Sequence, residues 1–121
     1  MKIAITAMGP NLGDDVSSRF GRAPYFVIAE SEDATIVNSI ANPNVAAGGG
    51  AGIQSAQTLA DADVGAVLTG NCGPKAFQVF GAAEIEIYTG AAGSVESAIA
   101  DFKAGKLKPA NQANVNSHHG I

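Results

Sequence analysis

The chain has 121 residues, of which 46% are hydrophobic and 15% are charged, a composition that predicts one globular domain and excludes a disordered chain. The net charge of −4 and the absence of a basic stripe argue against nucleic-acid binding. No apolar run approaches the roughly 20 residues that span a bilayer, and the N-terminus is too strand-like for a signal peptide. We therefore expect a cytoplasmic protein without a membrane partner, and the single cysteine fits a reducing compartment.

The first half of the chain predicts three short strands. Apolar residues run through Lys2–Ala7, and a loop rich in glycine, proline, asparagine and aspartate follows. β-branched and aromatic residues at 25–29 and 35–39 lie on either side of a polar turn, which is typical of a hairpin. We therefore expect an antiparallel edge on the sheet.

The second half predicts helices that alternate with strands. Residues 64–68 form a continuous apolar run, typical of a strand buried on both faces, and residues 84–88 alternate as a strand does. One helix precedes the first of these strands, and a second begins near Pro74. A third follows Ser94, which is a predicted N-cap.

The resulting order is β-β-β-α-β-α-β-α, and alternating strands and helices imply parallel strands joined by right-handed crossovers. We predict an α/β fold with a mixed five-stranded sheet of order 3-2-1-4-5 and helices on its faces. Strands 1 and 4 are then central neighbours whose connections leave in different directions, where open α/β sheets bind ligands. We expect one domain over residues 1–108 and a polar, flexible tail over residues 109–121.

A glycine run before the first helix is the first of three candidate binding segments. Consecutive glycines let backbone N–H groups converge on an anion, and a following helix N-terminus adds positive charge. The run matches neither a Walker loop nor a good dinucleotide fingerprint, and a merely flexible loop is the alternative. We expect the first two helices to start from different places, so that this run folds back over the crevice. Its candidate ligand-binding residues are Gly48, Gly49, Gly50 and Gly52.

The second candidate segment holds two arginines close together. Arg19 and Arg22 lie on either side of Phe20 and Gly21, in the loop after the first strand, and Arg19, Phe20 and Arg22 are its candidate binding residues. The planar, permanently charged guanidinium suits oxyanions and anionic sulfides. A solvated turn in which Phe20 plugs the core is an equally good interpretation.

The third candidate segment lies just before the second helix, and its candidate binding residues are Asn71, Cys72 and Gly73. A helix N-terminus lowers the pKa of a thiol, which favours a soft-metal contact or a nucleophile, whereas simple burial also explains a lone cysteine. A nucleophile needs a base, and the two histidines, His118 and His119, lie in the tail. They are candidate metal ligands, with a mobile tail as the alternative.

Four stretches in this order resemble the dinitrogenase iron–molybdenum cofactor biosynthesis family, which includes NifX-type carriers and the C-terminal part of NifB. The resemblance covers nearly all of residues 1–108. The stretches are MKIAI at 1–5, SRFGRAPYF at 18–26, GAGIQSAQ at 50–57, and GNCGPKAF at 70–77 followed by IEIYTG at 85–90.

This resemblance implies a ribonuclease-H-like α/β fold and binding of metal–sulfur clusters, because members carry or help to assemble molybdenum- and iron-containing cofactors. The family also includes the orange proteins of sulfate-reducing bacteria, which hold a molybdenum–copper sulfide cluster without covalent bonds, and this short chain resembles that branch more than a nitrogenase carrier. Cluster-binding members of the family often have a histidine before Phe-Gly in the first loop. Arg19 stands at that position in this chain, which favours electrostatic holding of a cluster over direct ligation.

We therefore expect a non-enzymatic protein that binds, carries or helps to assemble a molybdenum–copper or iron–molybdenum sulfide cluster. Its protein partners would be other cofactor-assembly or regulatory proteins. One alternative is a regulatory or interaction module on the same fold that has lost the cluster, and another is an anion-binding enzyme that uses Cys72. Nuclease activity is not expected, since the first strand carries no acid.

Overall fold

The computed structural model of the chain describes residues 1–42 and 51–110. These residues form five strands and three helices in the predicted order. The strands are β1 (Lys2–Ala7), β2 (Tyr25–Glu30), β3 (Ile36–Ala41), β4 (Ala66–Leu68) and β5 (Glu86–Tyr88). The helices are α1 (Ala51–Asp61), α2 (Pro74–Ala82) and α3 (Val95–Lys103).

The strands form one mixed sheet in the order β3-β2-β1-β4-β5, so the predicted topology is confirmed. β1 pairs antiparallel with β2 and parallel with β4, and β4 pairs parallel with β5. β2 pairs antiparallel with β3, with a register shift between Ile28 and Ala29. It follows that β1, β3, β4 and β5 all end at one side of the sheet, which we name the carboxyl edge.

The central strands are apolar because helices cover both faces of the sheet. Ala4 of β1 and Val67 of β4 lie in a core with buried residues of α1 and α2. Ile5 and Leu68, which alternate with them, lie in a second core with buried residues of α3. A strand covered on both faces needs apolar residues on both of them, and Ile3, Ala4 and Ile5 of β1 are all buried.

The helix starts agree with the residues that the sequence provides for them. The Ser94 hydroxyl accepts the backbone N–H of Ser97 at 3.1 Å, so the predicted N-cap is confirmed. Pro74 occupies the first turn of α2, where its missing N–H is not needed. No helix in the part of the chain that the structure describes has the length and hydropathy to cross a membrane.

Candidate functional site

The connection between β1 and β2 divides into two halves that lie on opposite faces of the sheet. Residues 8–16 lie on the α3 side, where Leu12 and Val16 pack against the second core. Residues 17–23, which we name the arginine loop, lie on the other side, where Phe20 and Ala23 join the core under α1 and α2. The connection therefore crosses the carboxyl edge at Ser17.

A buried network of hydrogen bonds holds the start of the arginine loop. The Ser17 N–H donates to the Thr6 carbonyl at 2.8 Å, and the Thr6 hydroxyl donates to the Ser17 carbonyl at 3.1 Å. The hydroxyls of Thr6 and Thr69 are hydrogen-bonded to each other at 2.9 Å. All three residues are buried, so a lost partner would leave a desolvated polar group. The network ties the loop to the ends of both central strands.

The middle of the arginine loop is bonded to the β4–α2 loop (residues 69–73). The Phe20 N–H donates to the Asn71 carbonyl at 3.2 Å, and Asn71 Nδ2 donates to the Ser18 carbonyl at 2.9 Å. Arg19 and Asn71 are also paired in an isolated parallel β-bridge. A Cβ on Gly70 would lie 2.7 Å from Ser18 Cα, so this close approach of two backbones requires glycine at position 70.

Phe20 anchors the arginine loop in the core. Its side chain is 3% exposed, and its ring centroid lies 5.6 Å from that of Phe26 and 5.1 Å from that of Phe80. Of the two interpretations that the sequence left open, the structure therefore gives Phe20 the core position. Arg19 is exposed and Arg22 is half-buried, so two cationic side chains flank an anchored residue.

Helices α1 and α2 begin side by side at the carboxyl edge, and the expectation that they start from different places is wrong. A Cβ on Gly52 would lie 3.7 Å from the Cβ of Ala76, which places the two first turns in contact. The crossovers from β3 to β4 and from β4 to β5 step in the same direction, so right-handed connections put both helices on one face. The positive ends of two helix dipoles therefore lie together.

The Cys72 side chain lies in the core between these helices and the sheet. It is 1% exposed, and its Sγ donates to the Gly73 carbonyl at 3.6 Å. Burial raises the pKa of Cys72 to about 12, so desolvation outweighs the helix N-terminus that was expected to lower it. The thiol is protonated at neutral pH, which favours the packing interpretation over a metal contact or a nucleophile.

Several predicted site residues lie outside the described residues, namely Gly48, Gly49, Gly50, His118 and His119. The glycine run is nevertheless bounded on both sides by described residues. Asn42 follows β3, and Gly52 lies in the first turn of α1, so both bounds are at the carboxyl edge. Within residues 1–42 and 51–110, no three His, Cys, Asp or Glu side chains cluster as metal ligands would.

Comparison with known proteins identifies the family. The family model described as dinitrogenase iron-molybdenum cofactor matches residues 1–105. The chain belongs to this family. An apo form of the orange protein from Desulfovibrio gigas is 38% identical and superposes with a TM-score of 0.89, over 94% of this chain and 96% of that one.

Two further relatives agree with this assignment. A candidate NifB protein from Thermotoga, solved by NMR, is 32% identical with a TM-score of 0.76, over 89% of this chain and 91% of that one. An uncharacterised protein from Methanocaldococcus jannaschii is 36% identical over 110 residues, which are 89% of this chain and 90% of that protein. The suspected membership of the iron–molybdenum cofactor family is confirmed.

Four residues of this chain to which sequence reasoning gave no role also lie at the carboxyl edge. Asn42, Thr6 and Thr69 are buried polar residues at strand ends, and the fold alone shows what they bond. Lys75 did carry a signal. It is an exposed cation in the first turn of α2, where the helix dipole favours an acidic residue.

Proposed function

We propose that this chain binds and carries an anionic metal–sulfur cluster at the carboxyl edge, over the first turns of α1 and α2. The observation that carries the proposal is the convergence there of the arginine loop, the β4–α2 loop and the starts of both helices. Membership of the iron–molybdenum cofactor family and the 38% identity to an orange protein support the choice of cargo.

The local charge favours an anion although the whole chain has a net charge of −4. Arg19, Arg22 and Lys75 are three of the seven basic residues, and all belong to segments on the α1–α2 side of this edge. Neither α1 nor α2 has an acidic residue in its first turn. The field at a site is set by nearby charges and dipoles rather than by the net charge.

The described residues would hold the cluster by charge and hydrogen bonds rather than by ligation. The described residues offer no group of three side chains of the kinds that bind metal ions, and the Cys72 thiol is buried and protonated. Arg19 and Arg22 would donate charge-assisted hydrogen bonds to the sulfides of the cluster. Backbone N–H groups of the glycine run and of Gly52 would add to them, and His118 and His119 remain proposed metal contacts.

The same residues support carriage rather than catalysis. The thiol that an enzyme would use as its nucleophile is buried, and the pKa of Cys72 is about 12. A molybdenum–copper sulfide and an iron–molybdenum sulfide are both proposed as cargo, since each is large and negatively charged. The proteins that deliver or receive it are proposed to be other cofactor-assembly proteins.

The test is retention of a cluster by the purified apo-protein. The chain is incubated anaerobically with tetrathiomolybdate, with and without copper(I), and desalted, after which the visible spectrum and the metal content per chain are recorded. We expect a new visible band and stoichiometric molybdenum. Retention should fall as salt concentration rises, because screening weakens charge-based binding.

A matched pair of variants locates the site. Replacement of both Arg19→Gln and Arg22→Gln should weaken retention about tenfold or more, since each guanidinium provides charged hydrogen bonds. Lys103→Gln with Lys106→Gln removes the same charge elsewhere, at the end of α3, where Lys103 donates to the Glu32 carbonyl. Equal losses in both pairs would place the site elsewhere. No retention of thiomolybdate or of iron–sulfur precursors would favour an interaction module that has lost the cluster.

A further inference from the structure

Two asparagine side chains hold the arginine loop from opposite sides. Asn71 bonds its first part, and Asn42, which follows β3, bonds its second part. We propose that Asn42 and Asn71 are positioning residues, which preset Arg19 and Arg22 for the anion, and that Asn42 does not itself contact it. This inference rests on the proposed function and adds to it a reason why the loop is competent before the ligand arrives.

The bonds of Asn71 bracket Arg19. Its side-chain Nδ2 donates to the Ser18 carbonyl at 2.9 Å, and its backbone carbonyl accepts the Phe20 N–H at 3.2 Å. Both partners are the immediate neighbours of Arg19 in the chain. The backbone from which the Arg19 side chain extends is therefore fixed on either side.

The bonds of Asn42 bracket Arg22 in the same way. Its Nδ2 donates to the Gly21 carbonyl at 3.3 Å and to the Ala23 carbonyl at 2.8 Å. Its backbone N–H donates to the Pro24 carbonyl at 2.9 Å, which ties the end of β3 to the end of the loop. Each arginine thus has bonds to an asparagine on either side, made by the side chain alone in Asn42 and by the side chain and the backbone in Asn71.

Asn42 has the environment of a positioning group rather than of a ligand contact. A carboxamide nitrogen carries two protons, and two carbonyls already accept them. The residue is 5% exposed, and its Oδ1 lies 3.5 Å from the Ser55 hydroxyl of α1. A cluster that arrives from solvent would meet Arg22 rather than the side chain of Asn42.

Presetting matters because the arginine loop is proposed to hold its cargo by charge and hydrogen bonds. Such bonds depend on the geometry of the charged groups, and the cost of ordering a loop on binding would reduce the affinity. A loop already fixed at Ser17 by the threonine network and on both sides of each arginine loses little freedom when the anion binds. Supporting hydrogen bonds of this kind keep the side chains that contact a ligand in a precise geometry.

The first arm of the test uses apo-protein alone. Amide hydrogen exchange is measured in the wild type, Asn42→Ala and Asn71→Ala, with urea unfolding as the check that each variant folds. We expect faster exchange over residues 18–23 and unchanged exchange in β1 and β4. Asn71→Ala is the safer variant, because Asn71 is half-buried and Asn42 is buried. Unchanged exchange over residues 18–23 in a folded variant would overturn the proposal.

The second arm measures coupling to the arginines by retention of the thiomolybdate–copper(I) product. Each asparagine variant should weaken retention about tenfold, as expected for a lost supporting hydrogen bond. In double-mutant cycles, Asn42→Ala should add little to Arg22→Gln, and Asn71→Ala should add little to Arg19→Gln. The crossed pairs, Asn42→Ala with Arg19→Gln and Asn71→Ala with Arg22→Gln, should be closer to additive.

The two arms separate this inference from the proposed function. Full additivity in the matched pairs would show that the asparagines act independently of the arginines and would overturn the inference while cluster binding stands. A wild type that retains no cluster would overturn the proposed function, and the exchange arm would still decide whether the asparagines fix the loop.

Discussion

The carboxyl edge holds the starts of all three helices, and the chain treats them differently. At α3 the Ser94 hydroxyl accepts the Ser97 N–H at 3.1 Å, and the Asp14 carbonyl accepts the Val95 N–H at 2.8 Å. Glu96 adds a negative charge to this first turn, as the helix dipole favours. The α3 start is therefore closed by the chain itself.

The α2 start has the opposite character. Its N-cap is Gly73, which makes no side-chain cap bond, and the first turn holds Lys75 and no acidic residue. A cation at this end opposes the helix dipole and does not stabilise the helix. One sheet edge thus carries a helix start built for stability and another that is left electropositive, which is the arrangement a bound anion would compensate.

Among the substitutions that test this difference between the α2 and α3 starts, one at Gly70 is expected to have the largest effect. Gly70→Val places a Cβ 2.7 Å from Ser18 Cα and 2.9 Å from the Ser18 carbonyl oxygen, so backbone must move. We expect a loss of about 2–3 kcal/mol in the free energy of unfolding, measured by urea titration, and loss of cluster retention. Amide exchange at the α3 start should match that of the wild type.

Gly81→Ala is the matched control for that substitution. Gly81 lies in α2, and a Cβ there would meet no atom within 4 Å. Alanine should stabilise the helix by about 0.5 kcal/mol and leave retention unchanged. A Gly70→Val protein as stable as wild type would contradict the close approach of the two loops.

A second prediction concerns the buried thiol on the α1–α2 side. Because burial raises the pKa of Cys72 from an ordinary 9.0 to about 12, the folded chain binds this proton more tightly than the unfolded chain. The contribution to stability is complete below about pH 9 and is lost as the pH rises towards 12, by about 1.4 kcal/mol per pH unit. Urea unfolding at about pH 8 and about pH 10 measures it.

The control for this prediction is Cys72→Ala, in which lysine and tyrosine titrations remain and the cysteine contribution is absent. Its unfolding free energy should fall less steeply between the two pH values. Cluster retention at neutral pH should match that of the wild type, since the thiol is assigned to the core. Retention lost in a folded Cys72→Ala protein would restore a soft contact to this residue.

The smallest predicted effect sharpens the comparison from the α3 side. Ser94→Ala removes the hydroxyl that caps α3 and should cost about 1 kcal/mol of unfolding free energy. Retention of the thiomolybdate–copper(I) product should be unchanged, because the cap lies on the closed side of the edge. If Ser94→Ala lost cluster retention in proportion to its loss of stability, the α2 and α3 starts would not act independently.

The fold was predictable because its signals are local. The apolar run of β1, the hairpin turn and Ser94 each act through neighbours in the chain, and right-handed crossovers then leave few topologies. The strands β4 and β5 are three residues each, shorter than the apolar patterns suggested. The apolar pattern of the sequence alone does not show at which residue the pairing of a strand with its neighbour stops.

The candidate site was predictable in composition but not in arrangement. The sequence showed arginines beside Phe20 and a cysteine before a helix. Whether the side chains of Phe20 and Cys72 enter the core depends on residues far away in the chain. Asn42 and Thr69 were missed because a polar residue at a strand end carries no local sign of its bonds. The 53-residue separation of Ser18 and Asn71 shows how far those bonds reach.

The burial of the single cysteine also bears on how such a carrier would respond to the redox state of its surroundings. Thiol–disulfide exchange proceeds through an exposed thiolate, and Cys72 is neither exposed nor ionised at neutral pH. Mixed disulfides with glutathione and oxidative cross-linking of two chains would both require the core to open first. Loading and release of the proposed cargo would then depend on salt concentration and on contacts with partner proteins. They would not depend on the thiol–disulfide redox potential of the compartment.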